Sequence, residues 1–141
     1  MTAEPRALRP RLAIFISGGG SNMVAIARAC AAGEIQADVA VVISDQAKAG
    51  GIERARQLDL PVVVVNRDDF RIAGRLDRQA FEAALAAAVQ QCKVDLVILA
   101  GFMSVLSAAF VAQYMGRMLN IHPSLLPRYA GLDTHARVLA A

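Results

Sequence analysis

Cysteines and long apolar stretches are both scarce in this chain. Two cysteines occur in 141 residues, Cys30 and Cys92, and each lies alone in a segment that favours helix. This excludes a disulfide framework or a zinc site built on thiolates, so we expect reduced thiols in a cytoplasmic protein.

The longest strongly apolar stretch, residues 94–103, is far shorter than the roughly 20 residues of a membrane-spanning helix. The first ten residues lack the apolar core of a secretory signal, so neither a membrane span nor export is expected.

An excess of charge is also lacking. The net charge is +3, and the basic residues are scattered and form no platform with aromatic residues, so no nucleic-acid partner is expected. Hydrophobic residues make up 56% and charged residues 19% of the chain, a composition typical of a globular protein. The length fits one domain with a single core. We predict a flexible tail over residues 1–10 and one α/β domain over residues 11–141.

Strand-like and helix-like segments alternate along the chain. The predicted strands are 11–17, 37–44, 61–66, 94–101 and 118–122. The predicted helices are 22–34, 50–60, 75–93, 107–117 and a segment that begins at 134. This alternation predicts an α/β fold with a doubly wound, mostly parallel sheet.

Three unusual segments each directly follow a predicted strand: SGGGSN at 17–22, GFMSVLS at 101–107 and NIHPSLLP at 120–127. Ligands of doubly wound sheets bind beyond the carboxyl ends of the strands. The three segments should therefore lie on one rim and form one site.

The first of these segments favours an anion. Gly18–Gly20 permit a sharp turn, and Ser21 and Asn22 fall where the start of a helix exposes free N–H groups. A dinucleotide fingerprint requires a further glycine where this chain has Met23, so one phosphate monoester is the better fit. The alternative is a turn that needs glycine only for its geometry, with Ser21 or Asn22 as the helix cap.

The second segment is apolar where the chain should be leaving the core. Phe102, Met103, Val105 and Leu106 could form a rim for a flat aromatic ligand. Alternatively, they pack under the next helix, with Ser107 as its cap.

The third segment places Asn120 and His122 two residues apart, so that both project to the same side of an extended strand end. An imidazole with an ordinary pKa near 6.5 can be tuned by its neighbours to stabilise an oxyanion at neutral pH. The alternative is a structural histidine bonded to a carbonyl in a proline-rich loop. No carboxylate or cysteine completes a ligand set with His122 and His135, so no metal is expected.

Three motifs, ISGGGSN, LAGFMSVLS and NIHPSLLPRYAGLDTH, together resemble the phosphoribosylglycinamide formyltransferase family, and the resemblance covers residues 11–141. It implies transfer of a formyl group from 10-formyltetrahydrofolate to the amine of glycinamide ribonucleotide in de novo purine biosynthesis. Methionyl-tRNA formyltransferase and formyltetrahydrofolate hydrolase share the Asn-x-His core but usually lack both flanking signatures.

The resemblance also implies roles for particular residues. Gly20, Ser21 and Asn22 would hold the substrate phosphate, and Asn120 with a protonated His122 would stabilise the oxyanion during transfer. The implied folate contacts are Arg78, Met103, Ser104, Val105, Leu106 and Asn120.

This chain departs from the family pattern in a few places. The family continues beyond the point that matches Ala141, with further strands and an aspartate that keeps the pKa of the catalytic histidine raised. We therefore expect impaired activity and an apolar sheet edge that supports a homodimer. Ser104 replaces a common arginine, which makes the folate contacts less secure, and Gly19 replaces a frequent asparagine. Two alternatives remain open, namely a non-catalytic module that binds a phosphoribosyl ligand and another formyltetrahydrofolate-dependent enzyme.

Overall fold

The computed structural model describes residues 9–121, which form a parallel sheet with helices on both faces. The strands are β1 (Arg11–Ile16), β2 (Asp38–Ser44), β3 (Val62–Val64), β4 (Arg71–Ile72), β5 (Arg75–Leu76), β6 (Leu96–Ala100) and β7 (Met118–Ile121). The helices are α1 (Ser21–Ala31), α2 (Gly50–Gln57), α3 (Arg78–Gln91) and α4 (Ala108–Gln113), with a 3-10 turn at Arg67–Phe70.

The main sheet has the strand order β3-β2-β1-β6-β7, and every pair in it is parallel. The chain runs from β1 outward to β3, then crosses back to place β6 on the other side of β1. The order therefore reverses between β1 and β6, which is where ligands of such sheets bind. This confirms the predicted doubly wound α/β fold.

Two apolar clusters cover the two faces of the sheet. Successive side chains of a strand point to opposite faces, so Phe15 joins the cluster under α3 and α4 while Ile14 and Ile16 join the cluster under α1 and α2. Burying each such side chain contributes about 1.5–3 kcal/mol. The central strands are therefore continuous apolar runs, because both of their faces are covered.

The region before α3 differs from its prediction. The sequence pattern predicts a helix from residue 75, but β4 and β5 form a small antiparallel hairpin whose turn places Ala73 and Gly74 at positive φ. Helix α3 begins at Arg78 because the side chain of Asp77 caps it, accepting a hydrogen bond from the Ala80 amide at 3.1 Å. The expectations for residues 1–8, for the end of the last strand at 122 and for the helix from 134 lie outside the described residues.

Both cysteines are free thiols. Cys30 is buried in the cluster under α1 and α2, and this burial raises the pKa of its thiol, so it stays protonated at neutral pH. Cys92 is half-buried at the end of α3. Within residues 9–121, no group of three or more His, Cys, Asp or Glu side chains is arranged to hold a metal ion. None of the helices in that part of the chain is long and apolar enough to cross a membrane.

Candidate ligand-binding site

Three loops meet at the point where the strand order reverses. Ser17 follows β1, Asp45 follows β2, and Met103 lies shortly after β6. The Ser17 hydroxyl donates to Asp45 Oδ1 at 2.7 Å and accepts from the Met103 amide at 2.7 Å. The first two unusual segments of the sequence are thus joined directly at one rim.

The glycine segment forms a tight connection from β1 into α1. Gly20 has a φ of 76°, a left-handed conformation that favours glycine, and it caps α1 without a side-chain hydrogen bond. Neither Ser21 nor Asn22 caps this helix, so the alternative that assigned them that role is wrong. The first-turn N–H groups of α1 have no side-chain cap among residues 9–121, an arrangement that suits an anion.

A second glycine pair, which the sequence analysis did not single out, packs against this loop. The Gly51 amide donates to the Gly18 carbonyl at 2.9 Å. A Cβ at Gly51 would lie 2.6 Å from Ile16 Cδ1, 3.0 Å from Gly18 O and 3.2 Å from Gly20 Cα. The start of α2 can therefore support the glycine loop only because residue 51 has no side chain. The signal in the sequence was a Gly-Gly pair at a helix start.

An open groove of about 420 Å³ lies beside the glycine loop. Its lining comes from Ser17, Gly18, Gly19, Gln46, Lys48, Ala49, Gly50 and Met103. Most of the lining residues are small, and Lys48, which is exposed, adds a positive charge to the groove. A ligand in the groove can therefore approach the backbone closely and lies beside a cation, an arrangement that suits a phosphate group.

The segment after β6 alternates between exposed and buried side chains. Met103 and Val105 are 76% and 70% exposed, which is unusual for large apolar residues. Ser104 is buried, and Leu106 and Phe102 pack against the cluster under α3 and α4. Of the four positions assigned to folate in this segment, Met103 and Val105 are thus the two that present an apolar surface.

Ser104 is held inward by polar partners. Its hydroxyl donates to Asp45 Oδ2 through a short hydrogen bond and accepts from Arg67 Nη1 at 2.8 Å. Asp45 is fully buried, and its two carboxylate oxygens accept from Ser104 and Ser17. The sequence analysis missed Asp45, although an acidic residue directly after a buried apolar strand was a visible signal.

Helix α3 is tied to the same region. Ser107 caps α4, as one of the two alternatives for this segment predicted, and its amide and hydroxyl both donate to Glu82 at 2.6 Å. Arg78 is exposed at the start of α3, one turn before Glu82 and on the same helix face. Arg78 therefore lies on the side of α3 that is hydrogen-bonded, through Glu82, to Ser107 at the end of the apolar segment.

Asn120 lies near the carboxyl end of β7, opposite Leu99 of β6, and is half-buried. By strand alternation it faces the same side of the sheet as Met118, the side covered by α3 and α4. His122, its expected catalytic partner, lies outside the described residues.

Fold and site together define a class, a doubly wound α/β protein with a glycine loop at an uncapped helix start and an exposed apolar segment at its switch point. The chain belongs to the formyl transferase family, whose family model, described as "Formyl transferase", matches residues 10–141.

Individual relatives support this assignment. The chain is 41% identical over 131 residues to phosphoribosylglycinamide formyltransferase of Haemophilus influenzae, covering 93% of this chain and 59% of the relative. It is 45% identical over 129 residues to the Escherichia coli protein of the same name, covering 91% of this chain and 58% of that relative. The crystal structure of phosphoribosylglycinamide formyltransferase from Brucella melitensis superposes with a TM-score of 0.77 at 47% identity, covering 93% of this chain and 66% of that one. The chain thus spans less than two thirds of the length of these relatives.

Proposed function

We propose that this chain carries the phosphate-binding and folate-binding rim of a phosphoribosylglycinamide formyltransferase, which transfers a formyl group from 10-formyltetrahydrofolate to the amine of glycinamide ribonucleotide. The observation that carries the proposal is the direct link between the glycine loop and the exposed apolar segment, through Ser17 and Met103. Membership of the formyl transferase family and the names of the relatives support the same activity.

The substrate phosphate binds at the glycine loop. Gly20, Ser21 and Asn22 offer the uncapped first turn of α1, whose partial positive charge favours an anion. Lys48 also lines the groove and adds a full positive charge. The groove lacks bulky side chains at Gly18 and Gly19, so that a phosphate can approach the backbone closely.

The folate lies along the apolar segment. Met103 and Val105 offer exposed apolar surface that a flat pteridine ring would cover, and covering such surface is favourable. Arg78 lies on the face of α3 that is tied to this segment, and its cation suits an anionic part of the folate. Ser104 acts indirectly, because its hydroxyl is bound to Asp45 and Arg67.

The chemistry requires stabilisation of one developing charge. As the substrate amine forms a bond to the formyl carbon, negative charge grows on the formyl oxygen, and Asn120 with a protonated His122 donates hydrogen bonds to it. The bond between the formyl carbon and N10 of the folate then breaks. The amine proton is transferred to N10, which leaves tetrahydrofolate and the formylated amide. No covalent enzyme intermediate and no metal ion are needed.

Product release distinguishes the proposed enzyme from its alternatives. Supplying glycinamide ribonucleotide and 10-formyltetrahydrofolate together should release tetrahydrofolate, whereas a binding module would release none. Omitting the ribonucleotide should abolish the release of tetrahydrofolate, whereas a hydrolase would continue to release it. Release that requires both substrates supports the proposal, and release that ignores the ribonucleotide contradicts it.

A homodimer through the sheet edge is a further part of the proposal. In the described part of the chain β7 is the edge strand on this side of the sheet; Leu119 within it is 40% exposed, and Met115 shortly before it is 52% exposed. Such an edge favours pairing with a second copy. Sedimentation at tens of micromolar should show a dimer that Leu119→Lys weakens, with Ile72→Lys on the separate β4–β5 hairpin as the matched control. A monomer at that concentration would contradict the dimer.

We also propose a cytoplasmic location without a nucleic-acid partner. The two free thiols, Cys30 and Cys92, suit a reducing compartment, and the small net charge of +3 gives little attraction for a polyanion.

A further inference from the structure

Asp45 is the centre of a hydrogen-bond network that joins four loops. Each of two serine hydroxyls donates its proton to one oxygen of the Asp45 carboxylate, Ser17 to Oδ1 and Ser104 to Oδ2. Because their protons are directed at Asp45, both hydroxyl oxygens are left as acceptors, and both are used. Ser17 accepts from the Met103 amide at 2.7 Å, and Ser104 accepts from Arg67 Nη1 at 2.8 Å.

Burial makes this network costly to break. Asp45 is fully buried and Ser104 is 7% exposed, so water cannot readily replace a lost partner. Arg67 is also drawn inward, because its Nε is buried without a partner among residues 9–121 and its amide donates to the Asp45 carbonyl at 3.1 Å. The Ser104 hydroxyl thus lies between a buried carboxylate and a guanidinium, which fixes its position from two sides.

The consequence falls on the exposed apolar segment. Met103 is held through its backbone by Ser17, and Ser104 is held through its side chain by Asp45, so two successive residues are fixed to the same carboxylate. Ser104 is buried, whereas Met103 and Val105 on either side of it are exposed. The outward direction of both apolar side chains therefore depends on the inward anchor.

We propose that Asp45 is a positioning residue for the folate, which acts by holding residues 102–106 so that Met103 and Val105 present their apolar surface to the ligand. The inference rests on the proposed function for the identity of the ligand. Asp45 touches neither the folate nor the phosphate in this role. Asp45 also accepts from Ser17 at the start of the glycine segment, but the glycine loop has separate support from Gly51, whereas Met103 and Ser104 are both held through this carboxylate. We therefore expect the loss of Asp45 to affect the apolar half of the site more than the glycine-loop half.

Two variants and one control test this inference. Asp45→Asn keeps the size of the side chain but replaces one of its two acceptor oxygens with an NH2 group, so that one oxygen remains for two hydroxyl protons. Ser104→Ala removes the side chain that anchors the segment and keeps Asp45. Asp38→Asn is the control, because Asp38 is an exposed aspartate at the other end of β2, paired with Arg9 at 3.2 Å. For each form of the 141-residue chain, amide hydrogen exchange is measured across residues 102–106, and affinity is measured for folic acid and for glycinamide ribonucleotide.

We expect amide exchange at Met103 to speed up about tenfold or more in Asp45→Asn, and folic acid affinity to fall about fivefold or more. Ser104→Ala should show the same pattern, while affinity for the ribonucleotide changes less than about twofold in either variant. The control should match the wild type in all three measurements.

Three outcomes would overturn the inference. These are unchanged exchange in residues 102–106, faster exchange with unchanged folic acid affinity, and an equal loss of affinity for both ligands, which would make the role purely structural. A wild-type chain that binds neither ligand contradicts the proposed function itself. The exchange measurement, which needs no ligand, then still decides whether Asp45 holds the segment.

Discussion

Replacing Gly51 with alanine should destabilise the chain and weaken phosphate binding together. The new methyl group would meet Ile16 Cδ1 at 2.6 Å, and the buried Ile16 has little space in which to retreat. It would also meet the Gly18 carbonyl oxygen at 3.0 Å and Gly20 Cα at 3.2 Å, so the glycine loop itself must shift. Overpacking of this kind costs about 1–3 kcal/mol of the free energy of unfolding. We expect affinity for glycinamide ribonucleotide to fall about tenfold or more, as measured by isothermal titration calorimetry.

The neighbouring glycine supplies the matched control for that change. A Cβ at Gly50 would meet only Gly19 Cα, at 4.0 Å, which is ordinary van der Waals contact. Gly50→Ala should therefore leave the glycine loop in place and stabilise the start of α2 by up to about 1 kcal/mol, because alanine favours helix over glycine. Because Gly50 lines the groove, its new methyl group should lower affinity for the ribonucleotide, but by much less than the Gly51→Ala change does. If the two variants behave alike, the close packing of α2 on the glycine loop does not support the phosphate site.

Replacing His122 with alanine should remove most turnover while leaving binding of both ligands largely intact. The proposed role of the imidazole is to stabilise charge that exists only during transfer, so its loss affects the transition state and not the bound substrates. Loss of one such donor typically lowers the rate by about 10²–10³-fold. Tetrahydrofolate formation in a single turnover with the chain in excess measures this even where turnover is slow.

Leu119→Ala is the control for the histidine variant. Leu119 lies on the same strand end as Asn120, is 40% exposed and has no proposed contact with either ligand. It should retain the wild-type rate. A His122→Ala chain whose rate remains within a few-fold of the wild type would show that the histidine is structural, as the alternative interpretation of the proline-rich segment holds.

The fold was predictable because its signals are local. The central strands β1 and β6 are apolar runs followed by Ser17 and Gly101, and burial on both faces requires that composition. The glycine loop could also be located, since Gly20 needs a positive φ and a side chain there would meet Met23 Cε at 2.9 Å. The segments that leave the carboxyl ends of parallel strands must lie at one rim, so topology alone was enough to predict that the first two unusual segments meet.

The supporting contacts of the site were not predictable from the sequence. Asp45 and Ser104 are 59 residues apart, and nothing in the local pattern of either residue indicates that one serine hydroxyl will donate to that carboxylate. Gly51 looked like an ordinary residue of a helix start until the packing of α2 on the loop was known. Ser104 was assigned to the folate from its position in the motif, whereas the structure gives it an inward role that depends on residues from two other loops.

The most direct test of the proposed function is a backbone-amide NMR titration of the 141-residue chain with glycinamide ribonucleotide. We predict a dispersed spectrum in which the largest shifts fall at Gly18–Asn22, with smaller shifts at Lys48 and Gly50 on the facing wall of the groove. A dispersed spectrum that does not respond to the ribonucleotide would contradict the assignment of the glycine loop as a phosphate site, and with it the proposed substrate.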